Sequence, residues 1–115
     1  MKRLLLAFFV FTGVLSAKTW VMRYAQEQIL VPAEQRLAIE DAVAQYKSAP
    51  DTLFVVEGAQ QNCESVGLAR RRATELADIA LAYQIPRSAI RVLTPSTRNE
   101  SSTRIYVIKN KYKHV

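Results

Sequence analysis

The sequence predicts an α/β fold, a two-layer sandwich in which two helices pack on one mixed sheet. Short runs of β-branched, aromatic and other apolar residues, typical of strands, recur along the chain. Two longer stretches between them place apolar residues three and four positions apart, as amphipathic helices do. The resulting order is β-α-β-α-β-β. A length of 115 residues suits one small domain, and no internal repeat marks a second one.

The first strand and the first helix are predicted in the segment from residue 20 to residue 47. Residues 20–24 are rich in aromatic and β-branched side chains and predict a strand. Pro32 favours a helix start, because its missing N–H has no partner in a first helical turn anyway. We expect the helix over about 33–47, with Leu37 on another face than its apolar positions, which are Ile39, Ala42, Val43 and Tyr46.

The second half of the domain repeats the pattern and then adds two strands. Residues 53–56 form a continuous apolar run, as expected for a central strand covered on both faces. A polar loop over 59–67 leads to a second helix over about 68–83. Short strands are then expected over 90–93 and 104–108.

Composition excludes several classes of function. Hydrophobic residues make up 50% of the chain and charged residues 23%, as in a globular protein. A single cysteine, Cys63, excludes an internal disulfide and a multi-cysteine zinc site. The single histidine, His114, is next to last in the chain, which argues against metal catalysis and a histidine-based triad. We therefore expect no metal, no cofactor and no enzymatic activity.

The N-terminus has the pattern of a secretory signal peptide over residues 1–17. Lys2 and Arg3 precede an apolar run that ends in the small residues Ser16 and Ala17. The run over 4–17 is shorter than the roughly 20 residues that a membrane-spanning helix needs. Cleavage after Ala17 would leave one domain over 18–115, with a basic C-terminal tail and no transmembrane span. An uncleaved signal anchor is the alternative.

Export would place Cys63 in an oxidising compartment without a partner in its own chain. Cys63 is then either a small buried apolar residue, or an exposed thiol open to an intermolecular disulfide.

The second predicted helix carries an arginine on its apolar face. At about 100° per residue, Arg72 falls between Leu68 and Leu76, whereas Arg70 and Arg71 point toward solvent. A guanidinium on an apolar face needs an anion or several acceptors. Arg72 either extends to the surface with its stem on the core, or it lines a pocket and binds a carboxylate with its planar fork.

Four stretches in this order give the sequence a family resemblance over residues 20–109. They are the run into Pro32 over 24–32, the Val-Val-Glu-Gly of 55–58, the Leu-Ala-Arg-Arg-Arg-Ala of 68–73, and the Ile-Pro-Arg-Ser-Ala-Ile of 85–90 followed by the strand over 104–108. Together they resemble the OmpA-like C-terminal domain, which MotB-type stator proteins and peptidoglycan-associated lipoproteins share.

The resemblance implies a ligand site that is only half present. In that family the helix arginine binds a carboxylate of the diacid in the peptidoglycan stem peptide, and an aspartate binds its amine. The arginine carries over to Arg72, but Gln61 stands at the position of the aspartate. A neutral amide accepts a hydrogen bond without adding an ion pair. Glu64 is a further acid in this loop, which the sequence does not position.

Two functions are expected from these observations. The first is a non-enzymatic protein of the bacterial periplasm, acting as an assembly subunit of an envelope-spanning machine for secretion, conjugation or pilus formation. Its partners would be envelope proteins, bound through Trp20, the face of Arg70 and Arg71, or the basic tail. The alternative is a peptidoglycan-binding module that holds a stem-peptide carboxylate through Arg72. We expect no nucleic-acid partner, since a basic terminus is usually a solvated one.

Overall fold

Two helices pack on a four-stranded sheet in a computed structural model that describes residues 18–49, 51–94 and 102–110. The predicted signal peptide and the end of the basic tail lie outside the described residues. The order β-α-β-α-β-β is confirmed, with elements β1 (Thr19–Arg23), α1 (Arg36–Ser48), β2 (Thr52–Glu57), α2 (Leu68–Ala82), β3 (Ile90–Leu93) and β4 (Ser102–Lys109). Short 3-10 turns, Ala33–Gln35 and Arg87–Ala89, precede α1 and β3.

The sheet is mixed, as predicted, with the strand order β1-β4-β2-β3. β4 runs antiparallel to both β1 and β2, whereas β2 and β3 are parallel. A parallel pair needs a crossover connection, and α2 provides it between β2 and β3. The loop that leaves β2 and the first turns of α2 therefore lie at the same end of the sheet.

The core lies between the sheet and the two helices. Alternate residues of the strands, Trp20 and Met22 of β1 with Phe54 and Val56 of β2, join one cluster of buried side chains. The predicted apolar face of α1 is confirmed, because its four members are all buried, while Leu37 remains 76% exposed. β2 is central, between β4 and β3, and Val55 on its other face is buried too.

Gly58 brings the end of β2 into close contact with α2. A Cβ atom at this position would collide with the backbone carbonyl of Ala69 in the first turn of α2. Only glycine permits such an approach of two backbones. The start of α2 is thereby fixed against the chain that leaves β2, and Arg72 lies one turn further along the helix.

The helices of the described residues are too short or too polar to cross a membrane.

Candidate functional site

Arg72 is fully buried, and every N–H of its guanidinium has an acceptor in the protein. Nε donates to the carbonyl of Gln28 at 2.7 Å. Nη1 donates to the carbonyl of Ala59 and to Glu64 Oε1, both at 3.1 Å. Nη2 donates to the carbonyl of Ala25 at 3.3 Å and to Glu64 Oε2 at 2.7 Å. The side chain therefore does not extend to the surface, and its five donors are all used within the chain.

Glu64 is the buried counter-ion of Arg72. Neither side chain has any exposed surface, and the two oxygens of Glu64 meet two nitrogens of the guanidinium in a bidentate pair. The carboxylate also accepts the backbone N–H of Gln61 at 2.7 Å and that of Glu27 at 3.0 Å. The hydrogen bonds from Arg72, followed by those from the two amides, outweigh burial and lower the pKa of Glu64 to about 2.

The predicted position of Arg72 on the apolar face of α2 is confirmed, whereas its partner was left open. That partner is Glu64, the single acid in the loop over 59–67, which the sequence did not position. The signal was available, since a buried cation requires an anion and the loop that precedes α2 lies beside its first turns.

Glu27 ties the turn after β1 to the loop that precedes α2. Its carboxylate accepts the backbone N–H of Ser65 at 2.8 Å and the hydroxyl of Ser65 at 2.6 Å. Its own N–H donates to Glu64, so the contacts run in both directions between the two segments. Glu27 has φ 62°, an uncommon backbone conformation for a residue other than glycine. These contacts hold that conformation and close the loop over Arg72.

Tyr24 covers another side of the guanidinium. The Cζ atom of Arg72 lies 4.7 Å from the centre of the Tyr24 ring, within the range of a cation–π interaction. Burial raises the pKa of Tyr24 to about 12, although the charge of Arg72 acts in the opposite direction. The ring is therefore neutral at physiological pH and completes a dry environment for the ion pair.

Gln61 and Arg72, the two residues of the predicted ligand site, both contact Glu64. Arg72 does so through its guanidinium, but Gln61 uses its backbone amide, and its side chain points elsewhere. The side-chain oxygen of Gln61 lies 3.6 Å from Cys63 Sγ. Cys63 is exposed, so the alternative of a small buried apolar residue is wrong. Within the described residues, no group of three or more His, Cys, Asp or Glu side chains could hold a metal ion.

The residues of the predicted interaction surface differ in their exposure to solvent. Arg70 and Arg71 are exposed on α2, as expected. The prediction that Trp20 belongs to such a surface is wrong, because the residue is only 6% exposed and packs in the core. Its Nε1 donates to Asp41 of α1 at 2.9 Å, and Lys18 forms an ion pair with the same carboxylate at 2.8 Å. Trp20 therefore joins β1 to α1.

The fold is that of OmpA-like domains. The chain is similar to the peptidoglycan-associated lipoprotein from Burkholderia pseudomallei, with a TM-score of 0.65 and 8% identity over 76% of this chain and 88% of that one. For the OmpA-like domain of FopA1 from Francisella tularensis the TM-score is 0.68, with 13% identity over 81% and 73%. For the periplasmic domain of Helicobacter pylori MotB it is 0.62, with 12% identity over 77% and 71%.

No protein-family model and no curated protein matches the chain. At identities of 8–13% the likeness is one of fold.

Proposed function

We propose that the chain is a non-enzymatic, exported protein of the bacterial cell envelope that acts as an assembly subunit of an envelope-spanning machine of the secretion, conjugation or pilus type. The fold supports an envelope protein, because the similar structures include a periplasmic domain and a peptidoglycan-associated lipoprotein. The observation that favours assembly over ligand binding is the internal pairing of Arg72 with Glu64.

A ligand carboxylate would have to replace Glu64 before it could reach Arg72. All five N–H donors of the guanidinium are already bonded to acceptors of this chain. Expelling Glu64 would break a buried bidentate pair, whose geometry and hydrogen bonds the incoming carboxylate would have to match after its own desolvation. The loop would also lose the bonds that Glu64 receives from Gln61 and Glu27. Glu64 thus occupies the place that a bound anion would take beside Arg72. Partners would therefore bind at the outer surfaces of the domain.

Peptidoglycan binding through Arg72 is the alternative. It is favoured by the position of Arg72, which matches the ligand-binding arginine of the family that the sequence resembles, and by the lipoprotein among the similar structures. It requires Glu64 to move away from the guanidinium of Arg72, and the loop over 59–67, which also carries Cys63, to open with it.

Sedimentation with purified peptidoglycan sacculi separates the two functions. We expect the purified protein to stay in the supernatant at every sacculus concentration. Pelleting that excess soluble stem peptide reverses would establish the alternative instead. Because Arg72 variants are expected to lose stability, the informative variant is Gln61→Ala, which keeps the backbone amide that bonds to Glu64. If the alternative holds, this variant pellets less than the wild type.

Cross-linking in cells tests the assembly role itself. We expect the exported protein to be captured with a defined envelope protein, and reversal of the exposed charge in Arg71→Glu to reduce that capture. Lys47→Glu, on the exposed side of α1, is the matched control and should leave it unchanged. Capture of the wild type with no envelope protein would refute the assembly role. N-terminal sequencing of the recovered protein tests cleavage after Ala17.

A further inference from the structure

The outer face of α2 carries a stripe of three exposed residues, Arg70, Thr74 and Asp78, at four-residue spacing. The stripe has a cation at one end, an anion at the other and a small side chain in the middle. Its ends are about 12 Å apart at the rise of an α-helix. Neither Arg70 nor Asp78 has an ion-pair partner among residues 18–49, 51–94 and 102–110.

A groove runs along each side of this stripe. The first, of about 430 Å³, separates α2 from the turn that follows β1 and is lined by Ile29, Arg71 and Glu75 besides the stripe. The second, of about 180 Å³, lies between α2 and the edge strand β3, and its apolar wall is formed by Leu81, Ile90 and Val92. The stripe is therefore a ridge between two grooves. Helices pack against each other by fitting the ridges of one into the grooves of the other.

We propose that this ridge is the contact surface of a two-fold symmetric homodimer, in which α2 of one copy packs antiparallel on α2 of a second copy. A two-fold interface uses the same patch on both subunits, so the patch must be complementary to itself. Thr74 lies midway between the two charges. A two-fold axis at Thr74 therefore places Arg70 of each copy opposite Asp78 of the other. The small side chain at the axis allows the helices to approach closely.

The distribution of charge favours a second copy over other occupants. An acidic surface, a nucleic acid or an anionic membrane would be attracted by the arginines of this face, Arg70 and Arg71 beside the first groove and Arg87 beside the second. It would be repelled by Glu75 and Asp78 on the same face. A basic partner would meet the reverse conflict. An antiparallel copy of the same helix satisfies both ends at once. Because one helix pair buries less than a standard interface, the dissociation constant should be in the micromolar range.

Analytical ultracentrifugation from micromolar to millimolar protein tests the proposal. We expect a reversible monomer–dimer equilibrium for the wild type. Arg70→Asp and Asp78→Arg each place like charges opposite one another twice, so each should raise the dimer dissociation constant by about tenfold or more. Lys47→Asp, an exposed charge reversal on α1, is the matched control. Circular dichroism establishes that every variant remains folded.

Mixing the two single variants gives the sharpest result. One variant carries two aspartates on the ridge and the other two arginines, so an equimolar mixture should form heterodimers at least as tight as the wild-type dimer. The double variant Arg70→Asp/Asp78→Arg should dimerise for the same reason. A monomeric wild type at millimolar concentration, or a mixture that associates no better than its components, would overturn the proposal. The assembly role is tested separately, by capture of the wild type with an envelope protein in cells, so a failure of the dimer is distinguishable from a failure of the proposed function.

Discussion

Two ion pairs of the molecule have nearly the same length and opposite surroundings. Lys18 and Asp41 meet at 2.8 Å with side chains that are 61% and 55% exposed. Arg72 and Glu64 meet at 2.7 Å with no exposed side-chain surface. Water replaces the contacts of the first pair when it breaks, but nothing replaces those of the second. Distance alone therefore does not tell which pair the fold depends on.

The buried pair also connects more segments of the chain than the exposed pair does. Besides Glu64, the guanidinium of Arg72 satisfies three backbone carbonyls, which come from the turn after β1 and from the end of β2. Asp41 accepts hydrogen bonds from Lys18 and from Trp20, and these lower its pKa. The exposed pair thus supports one contact between β1 and α1, whereas the buried pair connects three segments of the chain.

The largest effect is expected from Glu64→Gln. The amide keeps the shape of the side chain but removes its charge and turns an N–H group toward the donors of Arg72. We expect the free energy of unfolding to fall by about 3–5 kcal/mol, since a buried cation is left without its counter-ion. Urea denaturation measures the loss. Glu75→Gln, a half-buried acid on α2, is the control, and an equal loss in both variants would contradict the role of Glu64.

Acid should weaken the buried pair in a defined pH range. The pKa of Glu64 falls from an ordinary 4.5 to about 2 in the folded protein, mainly through the hydrogen bonds from Arg72. A depressed pKa stabilises the fold fully above the ordinary value, and that stability is lost as the pH falls toward 2. The loss should reach about 3 kcal/mol. Denaturation curves at successive pH values should show the wild type approaching Glu64→Gln below pH 4.5; a constant gap would refute the assignment.

Arg72→Lys tests the geometry of the pair with its charge retained. An ammonium group has three donors for the five acceptors that surround Arg72, so two buried acceptors lose their partner. We expect the free energy of unfolding to fall by about 2 kcal/mol. Arg71→Lys, on the exposed face of the same helix, should change it little. Equal stabilities of the two variants would show that charge alone, without the planar fork, holds this site.

Residue spacing within a helix determines which of these features could be predicted from the sequence. The buried face of α1 and the position of Arg72 on α2 follow from residue spacing within one helix. The pairing of Arg72 with Glu64 does not, because it joins a helix to a loop whose shape depends on the bonds between Glu27 and Ser65. Such long-range contacts leave no periodic signal in the sequence.

The exposure of two individual residues follows from simpler rules. Trp20 lies two residues before the buried Met22 in β1, so the two side chains share one face of the strand and strand alternation places Trp20 in the core. For Cys63 the polarity of the loop over 59–67 was a better guide than the general tendency of cysteine to be buried.

Asp41→Asn should have the smallest effect on the free energy of unfolding, and it tests the exposed ion pair. The amide oxygen of asparagine can still accept the hydrogen bond from Trp20 Nε1, and Lys18 regains water in place of the carboxylate. We expect a loss of stability far below that of Glu64→Gln, and one that disappears at high salt because exposed charges are screened. The loss in Glu64→Gln should persist at the same salt concentration, since no ions reach a fully buried pair. Denaturation of both variants at low and high salt measures the contrast. A salt-resistant loss in Asp41→Asn would mean that this exposed carboxylate supports the packing of Trp20 against α1, and that exposure does not separate the two pairs.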